Sequence, residues 1–398
     1  MANRTYTDFD LLIERAGDKY RARVINSPDG PASNEFMLPF SDDKLENFIL
    51  RISQGRRNTR AVKPVEVDAS REFGTVLFQT IFDGDVDVCL RNSITSVEQS
   101  GGSLRLRLRL SDVPELVDIP WEYLYDPTSR RFLALSVDTP LVRYLDLPGR
   151  IKPLAVQPPL NVLVMIASPT DIMQLDVEQE WQKLKMAVAD LEQQGLLRLD
   201  RLEKATLDEL QRRLRRQEYH VFHFIGHGGF DAKTNDGILL LEEEDGRSKA
   251  VSGQTLGTLM HDEKTLRLAL LNACEGGRAS KTDPFAGVGQ SLLQQGVPAV
   301  IAMQFEVTDD TAITLAHSFY AALADGYPVD AALTEARKTI FARNAVEWGT
   351  PVLYMRAPDG RIFDVANLDP SAKTQNQIAT LLSDRWSALY QCHALVVC

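Results

Sequence analysis

The chain has 398 residues, of which 44% are hydrophobic and 25% charged, a composition typical of a globular protein with two or three domains. A formal net charge of −11 argues against general nucleic-acid binding and against binding to anionic membrane surfaces. The chain has no apolar run near the roughly 20 residues that span a bilayer, and no apolar signal core at its start. The four cysteines lack the spacing of a disulfide framework, so we predict a cytoplasmic protein without nucleic-acid or membrane partners.

Residues 1–150 have the pattern of a small α+β module. Two β-like runs, 9–14 and 20–25, are separated by Ala-Gly-Asp and predict a hairpin. Residues 103–110 alternate between leucine and arginine, which predicts a half-buried strand with leucines on one face and arginines on the other. Helices are predicted over 42–54 and 72–81, and short extended pieces over 119–126 and 140–145.

A proline-rich segment, 151–159, is predicted to link this module to a larger domain that spans 160–364. In that domain apolar runs alternate with candidate helices, which predicts an α/β fold with a doubly wound, mostly parallel six-stranded sheet. The predicted strands are 161–166, 197–202, 219–225, 266–271, 299–303 and 351–355. The predicted helices are 177–194, 206–217, 285–295, 311–324 and 330–343. A small hairpin is predicted near 238–246, and the tail, 365–398, receives no role.

Two glycine-rich segments of this domain each carry one reactive side chain. Residues 221–229 read Val-Phe-His-Phe-Ile-Gly-His-Gly-Gly, and residues 270–277 read Leu-Leu-Asn-Ala-Cys-Glu-Gly-Gly. Sites in doubly wound sheets form at the carboxyl ends of strands, and both segments are predicted to follow such ends. A thiol attacks an amide well only as a thiolate, which a nearby imidazole can generate. The pair predicts a cysteine peptidase with Cys274 as nucleophile and His227 as base.

Neighbouring residues fit this chemistry, although each has an ordinary structural alternative. The backbone N–H groups of Gly228 and Cys274 are candidates for the oxyanion hole. The alternative is that Cys274 is an ordinary buried thiol and His227 a turn histidine. His220 and His223 raise the idea of a metal site, but strand alternation directs them to opposite faces. They are predicted to be packed or hydrogen-bonded sheet residues, and no metal or cofactor is expected.

At these motifs the sequence resembles the CHAT domain family, caspase-like peptidases related to caspases, separase and metacaspases. His227 precedes Cys274 by 47 residues (274 − 227), close to the roughly 50 typical of caspases. The resemblance covers roughly 160–364 and also rests on Gly-Val-Pro-Ala-Val-Ile-Ala-Met-Gln and Trp-Gly-Thr-Pro-Val-Leu-Tyr-Met. It implies endopeptidase activity through a His227–Cys274 dyad, without a cofactor, and a role in bacterial signalling or defence. The N-terminal Pro-Trp-Glu-Tyr-Leu-Tyr run is similar to regions that precede CHAT domains in bacterial proteins.

The sequence leaves the substrate preference open. Relatives that cut after arginine or lysine often carry an aspartate two residues before the cysteine, where this chain has Asn272. Four acidic residues are also candidates for the substrate pocket: Glu275, Asp283, Glu306 and Asp309. An equally good interpretation makes them helix caps and solvated loop acids. A basic, an acidic and an apolar substrate side chain at the cleaved bond therefore all remain as alternatives.

Two functions are compatible with these features. The first is a regulated cysteine endopeptidase that cleaves a protein or peptide substrate and is activated by a protein partner bound to residues 1–150. The second is a caspase-like scaffold that recruits partners and whose cysteine is dispensable. A thiolate activated for catalysis should alkylate much faster than Cys89, and this distinguishes the two.

Overall fold

A computed structural model describes residues 4–41, 45, 47–48, 64–149, 151–231, 233, 236–278, 285–305, 307–343 and 346–366, without the side chains of 64–68 and 273–278. The predicted helix over 42–54 and the tail after residue 366 lie largely or wholly outside these residues. Within them, no helix is long and apolar enough to cross a membrane.

The described residues form strands and helices throughout. The strands are β1 (Tyr6–Ala16), β2 (Lys19–Asn26), β3 (Ala32–Phe36), β4 (Ser103–Arg109), β5 (Tyr125–Asp126), β6 (Arg131–Phe132), β7 (Leu141–Tyr144), β8 (Leu154–Val156), β9 (Leu160–Ile166), β10 (Leu197–Arg201), β11 (Val221–Asp231), β12 (Asp236–Glu242), β13 (Ser248–Ser252), β14 (Leu268–Arg278), β15 (Ala299–Met303), β16 (Pro351–Met355) and β17 (Phe363–Val365). The helices are α1 (Pro64–Ile81), α2 (Asp85–Gln99), α3 (Val177–Ala187), α4 (Ala189–Gln193), α5 (Leu207–Leu214), α6 (Gly253–Met260), α7 (Ala286–Gln294), α8 (Asp309–Ala324) and α9 (Val329–Arg343).

The larger half of the chain is built on six neighbouring strands in the order β10–β9–β11–β14–β15–β16. All are parallel to their neighbours except β16, which runs antiparallel to β15. Every residue of β15 and β16 is buried, as expected for strands covered on both faces. The mostly parallel α/β fold predicted from the alternation of apolar runs and helices is confirmed.

The N-terminal strands continue the same sheet. β1 and β2 form the predicted hairpin, β4 lies parallel to β1 and β7, and β7 lies parallel to β16. The sheet order therefore runs without a break from β16 through β7, β4, β1 and β2 to β3. Part of the predicted linker is also ordered, because β8 pairs with β17. The boundaries predicted at 150 and 160 thus fall within a chain whose central sheet is continuous.

The half-buried strand predicted at 103–110 is wrong in one respect, because its arginine face is also buried. Arg105 is 1% exposed and Arg107 is 7% exposed. Their charges are balanced by carboxylates on neighbouring elements: Arg107 Nη2 lies 2.7 Å from Asp8 Oδ2, and Arg105 Nε lies 2.5 Å from Asp330 Oδ2. Buried guanidinium groups are tolerated when they are paired and hydrogen-bonded in this way. Strand β4 is therefore an interior strand of the sheet.

Candidate active site

The structure brings the positions of His227 and Cys274 together on adjacent parallel strands. In the register of β11 and β14, Gly226 lies opposite Ala273, and the next pair is Gly228 with Arg278. His227 alone therefore faces four residues, 274–277, which form a bulge that begins at Cys274. Bulges are common beside active sites, where they interrupt a regular ladder and redirect a side chain.

Both residues lie within strands, whereas the sequence predicted them just past strand ends. Strand β11 continues beyond residue 225 because it leaves β9 and pairs with β12, with His227 opposite Leu240. The β12–β13 hairpin is the one predicted near 238–246. His227 is buried at this position, with an exposed fraction of 5%. A side chain at such a position is shielded from bulk water, so its electrostatic interactions are strengthened.

Gly228 has a packing role that is separate from any role in catalysis. A Cβ atom at this position would lie 2.3 Å from Cε1 of Phe285, a ring that is fully buried. At the next residue, Gly229, the nearest atom to a Cβ would be Cγ1 of Ile238, at an ordinary 3.5 Å. The ring of Phe285 therefore requires glycine at 228 but not at 229.

This difference makes the two glycines a matched pair for mutagenesis. Gly228→Ala is expected to lower the free energy of unfolding by about 1–3 kcal/mol, the usual cost of overpacking a filled core. Gly229→Ala should change it by less than about 0.5 kcal/mol, since it adds only an ordinary contact. Urea denaturation of the two variants beside the parent protein measures both values. Equal losses would show that Phe285 does not restrict this position.

Of the four acidic residues predicted to line the pocket, the structure describes the side chain of Asp309 alone. Asp309 is the first residue of α8, directly after the cap residue Thr308, and its carboxylate lies 2.8 Å from Lys183 Nζ. Its place in the first turn agrees with the helix-terminus interpretation of this acid. Glu275 belongs to the bulge after residue 273, and its side chain is outside the described residues. Asp283 and Glu306 lie outside the described residues entirely.

Asn272 lies on the floor of a cleft next to the paired strand positions. The floor is formed by His223 and Ile225 of β11 and by Leu270 and Asn272 of β14. Helices α3 and α8 form the walls, and the space between the atoms is about 420 Å³, part of it open to solvent. No sequence pattern indicates the helical side of this cleft, because α3 and α8 are brought together only by the fold.

The prediction that His220 and His223 are packed or hydrogen-bonded sheet residues is confirmed. The Nδ1 atom of His220 accepts the backbone N–H of Asn161 at 2.8 Å, and Nδ1 of His223 lies 3.0 Å from the Tyr320 hydroxyl. Complete burial lowers the pKa of His223 to about 3, so its ring is uncharged at neutral pH. In the part of the chain that the structure describes, no three His, Cys, Asp or Glu side chains are grouped as metal ligands.

A buried polar network, missed from the sequence, supports the segment that follows β15. The Pro-Trp-Glu-Tyr run forms a 3₁₀ turn, Trp121–Tyr123, instead of the predicted extended piece. Glu122 in this turn accepts hydrogen bonds from Arg143 Nη2 at 2.8 Å and from Gln304 Nε2 at 3.1 Å. Gln304 follows β15 directly, and β15 is the neighbour of β14. The N-terminal half therefore holds the segment that follows the strand next to β14.

A family comparison agrees with this geometry. The model of the CHAT domain family matches residues 71–390, most of the chain. The chain belongs to the CHAT domain family. The resemblance identified from the motifs is confirmed, and the CHAT match extends further towards the N-terminus than the 160–364 on which the motifs lie. No curated protein matches the chain.

Solved structures of caspase-like peptidases are among those similar to this CHAT chain. The Saccharomyces cerevisiae separase–securin complex has 16% identity and a TM-score of 0.37, and the match covers 77% of this chain and 20% of the separase chain. The Arg-specific cysteine proteinase gingipain R has 10% identity and a TM-score of 0.40, with coverages of 80% and 75%. The Drosophila initiator caspase Dronc has 10% identity and a TM-score of 0.33, with coverages of 57% and 96%. The chain thus spans a fifth of the length of the separase.

Proposed function

We propose that the chain is a cysteine endopeptidase in which Cys274 is the nucleophile and His227 the general base. The observation that carries this proposal is the strand register, which sets His227 opposite the bulge that begins at Cys274. Membership of the CHAT domain family supports the same reaction class. A protein substrate fits the position of the pair near the carboxyl ends of β11 and β14, next to the cleft.

The chemistry follows from the two side chains. His227 takes the proton of the Cys274 thiol, and the thiolate attacks the carbonyl carbon of the peptide bond. The negative charge that develops on the carbonyl oxygen is stabilised by backbone N–H groups, for which we propose Gly228 and Cys274. The imidazolium then protonates the leaving amine, and the acyl group stays on sulfur. Water, deprotonated by His227, hydrolyses this thioester and releases the free enzyme.

Regulation by the N-terminal half is part of this proposal. The Glu122–Gln304 hydrogen bond joins the turn at 121–123 to the segment that follows β15, next to the strand of Cys274. A protein partner that binds residues 1–150 and moves this turn would act on the strand that neighbours the strand of Cys274. A cytoplasmic location and a role in bacterial defence stay predictions.

The test is covalent labelling of the full chain with peptide chloromethylketones, read by intact mass and by mapping of the modified residue. We expect one fast adduct at Cys274, because a thiolate alkylates far faster than a thiol. Buried Cys89, which is 3% exposed, is the internal reference. His227→Ala should abolish the fast reaction, while His317→Ala, at an exposed histidine, should not.

Two results would contradict the proposal. One is labelling of Cys274 at an equal rate in the parent and in His227→Ala, which would separate the thiol from the imidazole. The other is the absence of selective labelling by any peptide, which would favour the scaffold function.

A further inference from the structure

We propose that the cleft beside the active site binds the side chain that precedes the cleaved bond, and that this side chain is long and uncharged, methionine or glutamine. This inference rests on the proposed peptidase function and adds the substrate class to it. It is carried by the place of the cleft, by the pairing of its described charged residues and by two buried polar atoms that lack a hydrogen-bond partner among the described residues.

The cleft begins where the proposed dyad ends. Ile225 precedes His227 by two residues on β11, and Asn272 precedes Cys274 by two residues on β14. Because a strand rises about 3.3 Å per residue, this part of the floor lies about 7 Å along the sheet from the dyad. His223, two residues further back, lies about 13 Å away. A side chain that fills the cleft from the cleaved bond must therefore be long.

The walls of the cleft are mainly apolar. Helix α3 contributes Leu184, and helix α8 contributes Ala312, Ile313 and Ala316. The small side chains at 312 and 316, four residues apart, lie on one face of α8 and leave space between the helix and the sheet. An apolar wall of this kind favours the methylene groups of an unbranched side chain over a compact polar one.

Among the described residues that line the cleft, the two charged ones are already paired. Lys183 Nζ lies 2.7 Å from Glu180 Oε1 and 2.8 Å from Asp309 Oδ1. A basic substrate side chain would have to compete with Lys183 for these carboxylates, and an acidic one would meet two of them. The charged groups that the structure describes in the cleft therefore offer little to a charged substrate.

The floor holds two buried polar atoms, Asn272 Oδ1 and His223 Nε2, that have no hydrogen-bond partner among the described residues. An unmade hydrogen bond at a buried group is costly, so a ligand that supplies one gains affinity. Both residues are uncharged at neutral pH, because the amide of Asn272 does not ionise and burial lowers the pKa of His223 to about 3. A charged side chain would find no countercharge here, whereas the amide of glutamine offers both a donor and an acceptor.

The first test is a panel of chloromethylketones that share one peptide and differ only in the residue before the warhead. The residues are Met, Gln, Leu, Ala, Lys, Arg and Asp, and the readout is the second-order rate of Cys274 labelling in the full chain. We expect Met and Gln to react at least about 10-fold faster than Lys, Arg, Asp and Ala. A fastest reaction with Lys, Arg or Asp, or an equal rate for Ala and Met, would overturn the inference. The absence of labelling with every residue would instead overturn the proposed peptidase function.

The second test changes the cleft itself. Asn272→Asp places a carboxylate on the floor and is expected to raise the Arg-to-Met rate ratio by at least about 10-fold. Ala312→Met fills the space from α8 and should slow the Met and Gln reagents about 10-fold relative to the Ala reagent. Ala321→Met is the matched control, since Ala321 is a partly buried alanine of the same helix that does not line the cleft. If Asn272→Asp does not fold, Ala312→Met and Ala321→Met still test the inference. An equal change of the Met and Gln labelling rates in these two variants would overturn it.

Discussion

His227→Gln is expected to lower kcat/KM for a cleaved peptide by about 10³-fold or more at pH 7, the loss typical of removing a general base. Glutamine is close in size to histidine and keeps a polar group at this buried position, which is only 5% exposed. The loss therefore reports the missing base more than a disturbed fold. Cys274→Ala should abolish cleavage, because it removes the sulfur on which the acyl intermediate forms.

The pH dependence of His227→Gln distinguishes loss of a base from loss of structure. Without the imidazole, thiolate forms only by ionisation of the thiol, which for a free cysteine has a pKa near 8.5. The variant should therefore gain about tenfold in rate per pH unit as the pH rises towards about 8.5. Rates of single-turnover cleavage between pH 6 and 9 measure this slope.

A suitable control is His317→Gln, at an exposed histidine whose Nε2 lies 3.3 Å from Asp190. It should match the parent protein at every pH. A flat and uniformly low pH profile for His227→Gln would argue that His227 supports the fold around β11 and is not the base.

The sequence predicted the strands of the larger half well because their residues are buried on both faces. Such runs are apolar throughout, as in β15, and they end where the apolar run ends. It predicted the ends of β11 and β14 less well, because each strand continues through glycines. Glycine usually interrupts a strand, but here the β12 hairpin supplies a new partner for β11 beyond residue 225.

Contacts between distant parts of the chain could not be predicted from local patterns. The alternation in β4 shows that its two faces differ, but not what covers the arginine face. Asp330, which pairs with Arg105, lies 225 residues further along the chain. The backbone pairing of Tyr354 with Arg143 joins β16 to β7, and it too links residues that are far apart in the sequence. The cleft belongs to this class too, since its helical walls are set by tertiary packing.

Asp330→Ala is expected to lower the free energy of unfolding by about 3–5 kcal/mol, the usual cost of removing one partner of a buried ion pair. Asp330 and Arg105 have side chains that are 0% and 1% exposed, with Nε 2.5 Å from Oδ2. The loss of the carboxylate leaves the guanidinium buried with Asp8 Oδ1 at 3.2 Å as its remaining counterion. Chemical denaturation of the full chain measures this loss.

Two further variants show whether the loss of stability comes from the buried Arg105 charge that has lost its partner Asp330. Arg105→Met combined with Asp330→Ala removes both charges and should be more stable than Asp330→Ala alone. Glu335→Ala removes the partner of Lys338 in a more exposed pair on the same helix and should cost less than about 1 kcal/mol. A loss for Asp330→Ala as small as that for Glu335→Ala would contradict the prediction.

The position of the Arg105–Asp330 pair also predicts which parts of the protein lose stability in Asp330→Ala. Arg105 lies on β4 in the N-terminal half and Asp330 on α9 in the larger half of the chain, while β7 and β16 join the two in one sheet. Destabilisation should therefore raise hydrogen exchange in β4 and in β15 by similar factors, because a continuous sheet unfolds as one cooperative unit. Faster exchange in β4 alone would show that residues 1–150 unfold separately. If residues 1–150 unfold separately, a partner that binds them would shift only their local unfolding equilibrium. If the sheet unfolds as one unit, as we expect, the partner would stabilise the whole sheet that holds His227.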